Sequence, residues 1–423
     1  MTVSLGIDFG TSGARLVAID TDCNVLWWGT SNLRAGEWRE TLFALIKTIP
    51  MAVKARVTRI AIDGTSSTVL LCDDRGQSVG TPILYYDDRG RSVLEQLKSI
   101  VPNGHSVISA TSSLAKLCWY ASQPDLFPQG RYFLHQADWL AYHLHGKLGI
   151  SDYHNALKLG YDVESLCYPD WLERHAYRPL LPQVLPPGTP IDRVIPEVAR
   201  ELELPADCVV CAGTTDSIAA FMASGVQTPG EAVTSLGSTL VIKLLSHRRV
   251  EDSKYGIYSH RWGDLWLVGG ASNTGGAVLR QFFSDVELVK LSQDINPNLS
   301  SNLDYYPLLT PGERFPINDP NLAPRLTPRP DRSSFRGASP TSNFLHGLLE
   351  GIAKIEACGY RLLAELGATP LTAVYTAGGG AQNPVWTQIR QRYLPVPILI
   401  SKHQEAAYGT ALLAQASLSA RRN

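Results

Sequence analysis

The sequence predicts an α/β chain built from two similar lobes, on three observations. Strand-like and helix-like segments alternate along most of its length, the pattern of α/β proteins. The opening text, VSLGIDFGTSGARLVAI, reads as strand, tight glycine-rich turn, strand. About 230 residues later AVTSLGSTLVIKLL repeats that pattern, a recurrence that points to duplicated lobes. The chain has 423 residues, enough for two or three domains of roughly 100–200 residues each.

The elements follow in order. After the opening hairpin, a helical stretch is expected near 37–54 and a short buried strand at Arg59–Asp63. The texts TVLLCDDRG and TPILYYDDRG read as a second hairpin-like pair. A helix-rich region spans about 88–180 and ends in the proline-rich LLPQVLPPGTPI. The stretch 226–232 marks a crossing, which places the lobes at 1–227 and 228–423. Residues 300–340, rich in Pro, Asn, Arg and Ser, read as a long loop inside the second lobe. A long helix is expected at about 341–366, then a strand ending at GGG, a helix near 385–393, and a strand at PILIS. A final helix, 404–420, has room to pack back on the first lobe.

Composition narrows the function. Hydrophobic residues make up 44% and charged residues 18%, with 38 basic against 39 acidic side chains and a formal net charge of −1. That balance argues against nucleic acid or a membrane surface as partner, since both call for basic excess. The N-terminus lacks the features of a signal peptide, and no apolar run approaches the ~20 residues of a membrane span. The chain is therefore expected to be cytoplasmic, as monomer or homodimer. Cys208 and Cys211 form the lone CxxC among seven scattered cysteines; it lies in a strand-like run with no second pair to complete a zinc site. His143 and His145, two apart, do not share a helix face. Arg325, Arg329, Arg332 and Arg336 read as a solvated loop rather than an anion site.

Three turns carry candidate chemistry. Asp8 ends an apolar strand directly before Gly10, Thr11, Ser12 and Gly13; such a turn presents backbone N–H groups and hydroxyls to phosphate oxygens. A carboxylate at its rim suits a hydrated Mg²⁺, although a decorated hairpin would look the same. Gly237, Ser238 and Thr239 form a second phosphate-type turn. Gly378, Gly379 and Gly380 follow a strand and enter a helix, with Asn383 and Trp386 on its first turn able to flank a flat ring; the alternative is a flexible loop. Asp216, at a strand-to-helix transition, reads as a general base for a substrate hydroxyl or as a helix cap. Neither a P-loop nor a dinucleotide-binding fingerprint is present.

Taken together, Asp8-Phe-Gly-Thr-Ser-Gly, Gly-Thr-Thr-Asp216-Ser, Leu-Gly-Ser-Thr239, Leu348-Leu-Glu-Gly-Ile-Ala353, Gly378-Gly-Gly-Ala-Gln-Asn383 and Glu405-Ala-Ala-Tyr-Gly-Thr-Ala411 resemble, in order, the motifs of FGGY carbohydrate kinases. The resemblance runs from residue 4 to about 414. It implies two ribonuclease-H-like lobes of the actin-like ATPase type with a cleft between them, and ATP and Mg²⁺ as cofactors. It further implies Asp8 as the metal residue, Thr11, Ser12, Gly13, Gly237, Ser238 and Thr239 at the phosphates, and Gly379, Gly380, Asn383 and Trp386 at the adenine. Asp216 becomes the catalytic base, and the sugar is expected near Asp8, Ser67, Asp87, Lys116 and Asp216 on the N-terminal lobe.

The departures from the family pattern cluster on the sugar side. Gly64-Thr-Ser-Ser67-Thr68 stands where xylulokinases carry Gly-Gln-Met-His-Gly, and Tyr85-Tyr86-Asp87-Asp88-Arg89 where Trp-x-Asp-x-Arg is usual. One family signature survives partly, as Ser113-Leu-Ala-Lys116-Leu-Cys-Trp119. The second signature lacks its usual Arg, with His346-Gly347 in that region. The pattern is most similar to the xylulokinase-like kinases of plants and cyanobacteria, which the resemblance links to D-ribulose. D-xylulose or another polyol is the alternative substrate. Rival functions are a chaperone- or filament-type actin-like ATPase and a sugar-binding regulator without catalysis.

Overall fold

The computed structural model describes residues 2–11, 13–33, 36–328 and 340–419. The chain divides into two compact units: residues 1–223 with 403–423, and residues 224–402.

The first unit is centred on a mixed sheet. Its strands run in the spatial order Val25–Asn32, Gly13–Ile19, Val3–Phe9, Val57–Gly64, Val209–Cys211, Pro190–Arg193. The first three are antiparallel neighbours, as a tight turn at 10–13 and a short loop demand. From Val3–Phe9 the pairing turns parallel, to Val57–Gly64 and on to Val209–Cys211, and such parallel neighbours need crossover helices. The central strand VSLGIDF is buried throughout, the reading of a strand covered on both faces.

The two coverings differ in kind. On one face Leu5, Ile7 and Ile62 join a large cluster with Leu42 and Ile46 of the helix Trp38–Lys47 and with Leu140 and Leu144 of Gln136–His145. The other face carries small residues. Ala223, Ala407, Tyr408 and Ala411 pack on Val17 and Ile19. The terminal helix Ala406–Ser419 approaches so closely that a methyl on Gly6 would run into the backbone of Ala407 and Ala411. Gly409 of that helix in turn abuts the carbonyl of Ala219 in the helix Asp216–Ala223.

The second unit repeats the topology. Its strand order is Tyr258–Trp262, Leu265–Ala271, Leu240–Ser246, Glu231–Leu236, Ala373–Ala377, Ile398–Ile400, antiparallel first and parallel after the central strand, whereas the first unit's edge strand Pro190–Arg193 pairs antiparallel. Both units are thus ribonuclease-H-like. The long helix Pro340–Glu365 covers this sheet through Leu348, Leu349, Ile352 and Leu363. A buried ion pair ties the layers together: Arg390 Nε and Nη2 lie 2.6 and 2.7 Å from the Glu356 carboxylate, and Arg390 Nη1 donates to Thr376 Oγ1 at 2.8 Å.

Several local expectations are revised. The helix expected over 37–54 is two, Trp38–Lys47 and Met51–Lys54, because Pro50 stands between them. The pair expected from TVLLCDDRG and TPILYYDDRG is not a regular hairpin. Val69–Cys72 pairs instead with Tyr132–His135, and the text after it touches it through the single bridges Cys72–Ser78 and Val69–Ile83. Gly80 and Pro82 interrupt that second arm, and a proline has no N–H for a ladder. Of the arginines in the proline-rich loop, Arg325 pairs with Asp304 at 3.0 Å; Arg329, Arg332 and Arg336 lie outside the described residues.

The close approach of the terminal helix generates a test. Gly409→Ala should destabilise the fold by about 1–3 kcal/mol, the usual cost of overpacking a tight contact, read as a lower urea midpoint at unchanged m-value. A midpoint equal to wild type would show that the helix can withdraw without loss.

Candidate active site

In the first unit, register brings acids together. Asp8 and Asp63 are direct partners on parallel neighbouring strands. Thr214 and Thr215 then pair with Asp63 and Gly64 from the other side, and the next residue, Asp216, opens a helix. Three carboxyl groups therefore converge at the C-terminal ends of three adjacent parallel segments, where open α/β sheets bind ligands.

Each carboxyl is held differently. Asp8 is 2% exposed, and Arg15 Nη1, from the next strand of the hairpin, lies 3.2 Å from its Oδ2. Burial pushes Asp8 upward, offset by a hydrogen bond from Asp63 and by the Arg15 charge. Asp63 is fully buried. Its burial, and then the Asp8 charge, hold its carboxyl well above the usual range, while Thr410 of the terminal helix donates to Oδ2. Asp216 is half-buried, and its Oδ1 accepts from the Ser217 N–H at 2.6 Å.

The phosphate-type turn beside Asp8 is closed by Gly10 N–H donating to Gly13 O at 3.0 Å. Thr11 at its tip is exposed, and Ser12 lies outside the described residues. Among the described residues no cluster of three or more His, Cys, Asp or Glu could hold a metal ion. A single carboxylate rim is nonetheless what a hydrated Mg²⁺ takes, and Asp8 with its neighbouring turn fits that demand.

A second group in this unit gathers Ser67, Asp87 and Lys116. Lys116 is fully buried on the helix Ser113–Ala121, and burial draws its ammonium down to about 7. Its Nζ donates to the carbonyls of Ser67 at 2.8 Å, Leu84 at 2.7 Å and Tyr85 at 3.3 Å. Lys116 thereby clamps two loops beside Ser67. Asp87 is forked by Arg89, with Nη2 to Oδ2 at 2.6 Å, and Arg89 lies over the Trp119 ring at 4.6 Å. The Arg89 hydrogen bond holds Asp87 below the ordinary carboxylate range. Ser67 sits in the left-handed region at φ 68, and its buried hydroxyl has no partner in the structure, leaving it available to a ligand hydroxyl.

The second unit holds a cavity of about 600 Å³, the size of a small-molecule site. Gly237, Ser238, Gly379, Gly380, Asn383 and Trp386 all line it; Thr239 does not. Gly378 turns the chain at φ 84, and a methyl on Gly379 would meet nothing within 4 Å, so this stretch of backbone lies open to the cavity. Trp386 is fixed by Nε1 donating to Leu349 O at 3.1 Å. Asn383 is equally committed: its Oδ1 caps the helix by accepting from Trp386 N–H at 3.1 Å, and its Nδ2 donates to Ser292 Oγ at 2.9 Å.

The sequence reading missed Asp63 and Arg15, and it missed the apolar wall supplied by Leu279, Leu288 and Val289. Asp63 had a signal, a lone acid ending a buried strand beside the strand of Asp8. The wall had none beyond amphipathic text.

The C-terminal domain of the FGGY family of carbohydrate kinases matches residues 232–418. A xylulose kinase of Staphylococcus epidermidis is 25% identical, over 97% of this chain and 87% of that protein. Residues 232–418 thus match the C-terminal domain of that family, and the whole length of the chain is similar to a sugar kinase of the family's kind. A gluconokinase of Bacillus subtilis is 22% identical over 95% of this chain and 85% of its own length. In fold, the kinase superposes on a xylulose kinase of Rhodospirillum rubrum with a TM-score of 0.85 at 20% identity, over 97% of this chain and 89% of that one. It is a phosphotransferase acting on sugars or polyols.

The Lys116 clamp yields a test. Lys116→Met removes the donor to the Ser67 carbonyl and one donor each to the partly buried carbonyls of Leu84 and Tyr85, and a buried acceptor left orphaned costs about 1–3 kcal/mol. The melting temperature should fall, and the sugar KM should rise more than the ATP KM. An unchanged melting temperature with a raised sugar KM would instead make Lys116 a direct substrate contact.

Proposed function

We propose that this FGGY kinase transfers the γ-phosphoryl group of ATP to the terminal hydroxyl of a pentulose, with D-ribulose the preferred substrate. The observation that carries the reading is the placement of Asp216. It opens a helix at the end of the strand set that also holds Asp8 and Asp63, with its carboxylate only partly buried.

The chain's residues then divide the work. The Asp216 carboxylate accepts a hydrogen bond from the sugar hydroxyl, orients it, and takes its proton as the new O–P bond forms. The bond from phosphorus to the β-bridging oxygen breaks, and ADP leaves with the electron pair. Thr11, Ser12 and Gly13, with Gly237, Ser238 and Thr239, would hold phosphates. Gly379, Gly380, Asn383 and Trp386 would bound the adenosine. Asp8 would hold Mg²⁺, whose charge neutralises the β- and γ-phosphate oxygens.

The sugar contacts support a pentulose. Ser67 replaces the histidine usual in xylulokinases, and its free buried hydroxyl can donate to or accept from a sugar hydroxyl. Asp87, fixed by Arg89, offers a carboxylate to another hydroxyl. The relatives named xylulose kinase and gluconokinase support a sugar acceptor without choosing among sugars. The reading carries with it a cytoplasmic enzyme.

A coupled ADP-release assay over D-ribulose, D-xylulose, glycerol and D-gluconate tests the reading, run on wild type and Asp216→Asn. D-ribulose should give the highest kcat/KM. In Asp216→Asn, kcat should fall about 10²–10⁴-fold, the span of general-base terms, at nearly unchanged ATP affinity and melting temperature. A helix cap would be served about as well by Asn, so retained kcat would reduce Asp216 to a cap. Tenfold higher kcat/KM for xylulose or glycerol would overturn the substrate choice.

A further inference from the structure

We infer that Arg280 is a phosphate-binding residue of the second unit's cavity, held in reserve by Asp285. The inference rests on the nucleotide reading of that cavity and adds a residue to it.

Among the described residues lining the cavity, Arg280 is the one cation and Asp285 the one acid. Arg280 ends the short helix Gly276–Arg280, and that helix is tied to the phosphate-type turn through its backbone. Gly276 N–H donates to Gly237 O at 2.9 Å, and Ala277 N–H donates to Ser238 O at 3.0 Å. Helical side chains lean toward the N-terminus, so Arg280 points back along the helix to the turn. The position a methyl would take on Gly276 lies 2.7 Å from Gly237 O and 3.9 Å from Arg280 Nη1. The guanidinium therefore stands over the turn that the nucleotide reading assigns to phosphate.

Its present partner is weak. Arg280 Nε lies 3.4 Å from Asp285 Oδ1, and the two side chains are 55% and 79% exposed. Exposed pairs of this kind contribute little. A polyphosphate oxygen offers more charge and bidentate geometry, which a guanidinium matches. On nucleotide binding the guanidinium exchanges the Asp285 carboxylate for phosphate oxygen. The exchange makes Asp285 a competitor for the same cation, and it gives ADP an advantage over adenosine.

Calorimetric titration of the full chain with ADP and with adenosine, on wild type and three variants, tests the assignment. Arg280→Met should weaken ADP binding about 10-fold, the scale of one charge-assisted hydrogen bond, and leave adenosine within about 2-fold. Arg280→Lys should restore part of the loss. Asp285→Asn should leave ADP binding equal or tighter, because the competing carboxylate is gone. Equal losses for ADP and adenosine in Arg280→Met, or an unchanged ADP affinity, would overturn the Arg280 assignment alone. Failure of the wild type to bind either ligand would overturn the nucleotide reading together with it.

Discussion

The parallel register between Val3–Phe9 and Val57–Gly64 is the constraint on which the first unit's site depends. It sets Asp8 directly beside Asp63, an arrangement that apolar surroundings oppose, since desolvation penalises both charges. The surroundings answer from two sides. Arg15 reaches Asp8 from the partner strand of the hairpin, and Thr410 donates to Asp63. Thr410 arrives only because Gly6 lets the terminal helix lie against the central strand. One glycine in a strand, ordinarily a weakness, here permits the last helix of the chain to complete a site begun by its first strand.

The second unit uses the same sheet order for a different end. Its central strands meet a buried Arg390–Glu356 pair that also engages Thr376 and Thr234. That pair is fully hydrogen-bonded, the condition under which a buried charge pair is tolerated. Two of the polar groups at the cavity, Asn383 and the Trp386 indole N–H, are likewise hydrogen-bonded within the protein. The cavity itself is walled by Leu236, Leu279, Leu288 and Val289, apolar surface suited to a flat ring. Two copies of one topology thus present opposite chemistry, carboxylates in the first unit and an apolar slot beside a glycine turn in the second.

How much of this was legible follows from the range of each interaction. The opening hairpin and its repeat are local, written in Gly-Thr-Ser-Gly and Gly-Ser-Thr turns, and the structure has both. The glycine run at 378–380 is local too, and Gly379 and Gly380 line the cavity. Asp63 was passed over because Arg59–Asp63 reads as a buried strand, and its neighbour across a parallel pair is 55 residues away, a separation the text does not print. The clamp at Lys116 is of the same kind: a basic residue in a family signature reads as a ligand contact, and the three carbonyls it also holds come from distant text. The strands Tyr258–Trp262 and Leu265–Ala271 went unread, since polar and aromatic residues interrupt their alternation.

The most direct measurement of the central claim is turnover by Asp8→Ala at ordinary Mg²⁺ concentration, alongside its melting curve and its ADP affinity. If Asp8 holds the metal, sugar-dependent ADP release should fall about 10²-fold or more, in line with loss of a preorganised electrostatic group. ADP affinity should be retained through the second unit's cavity. The melting temperature should hold, because burial already penalises the Asp8 carboxyl and Asp63 keeps its Thr410 donor. Near-normal turnover in a folded, nucleotide-binding Asp8→Ala protein would contradict the account.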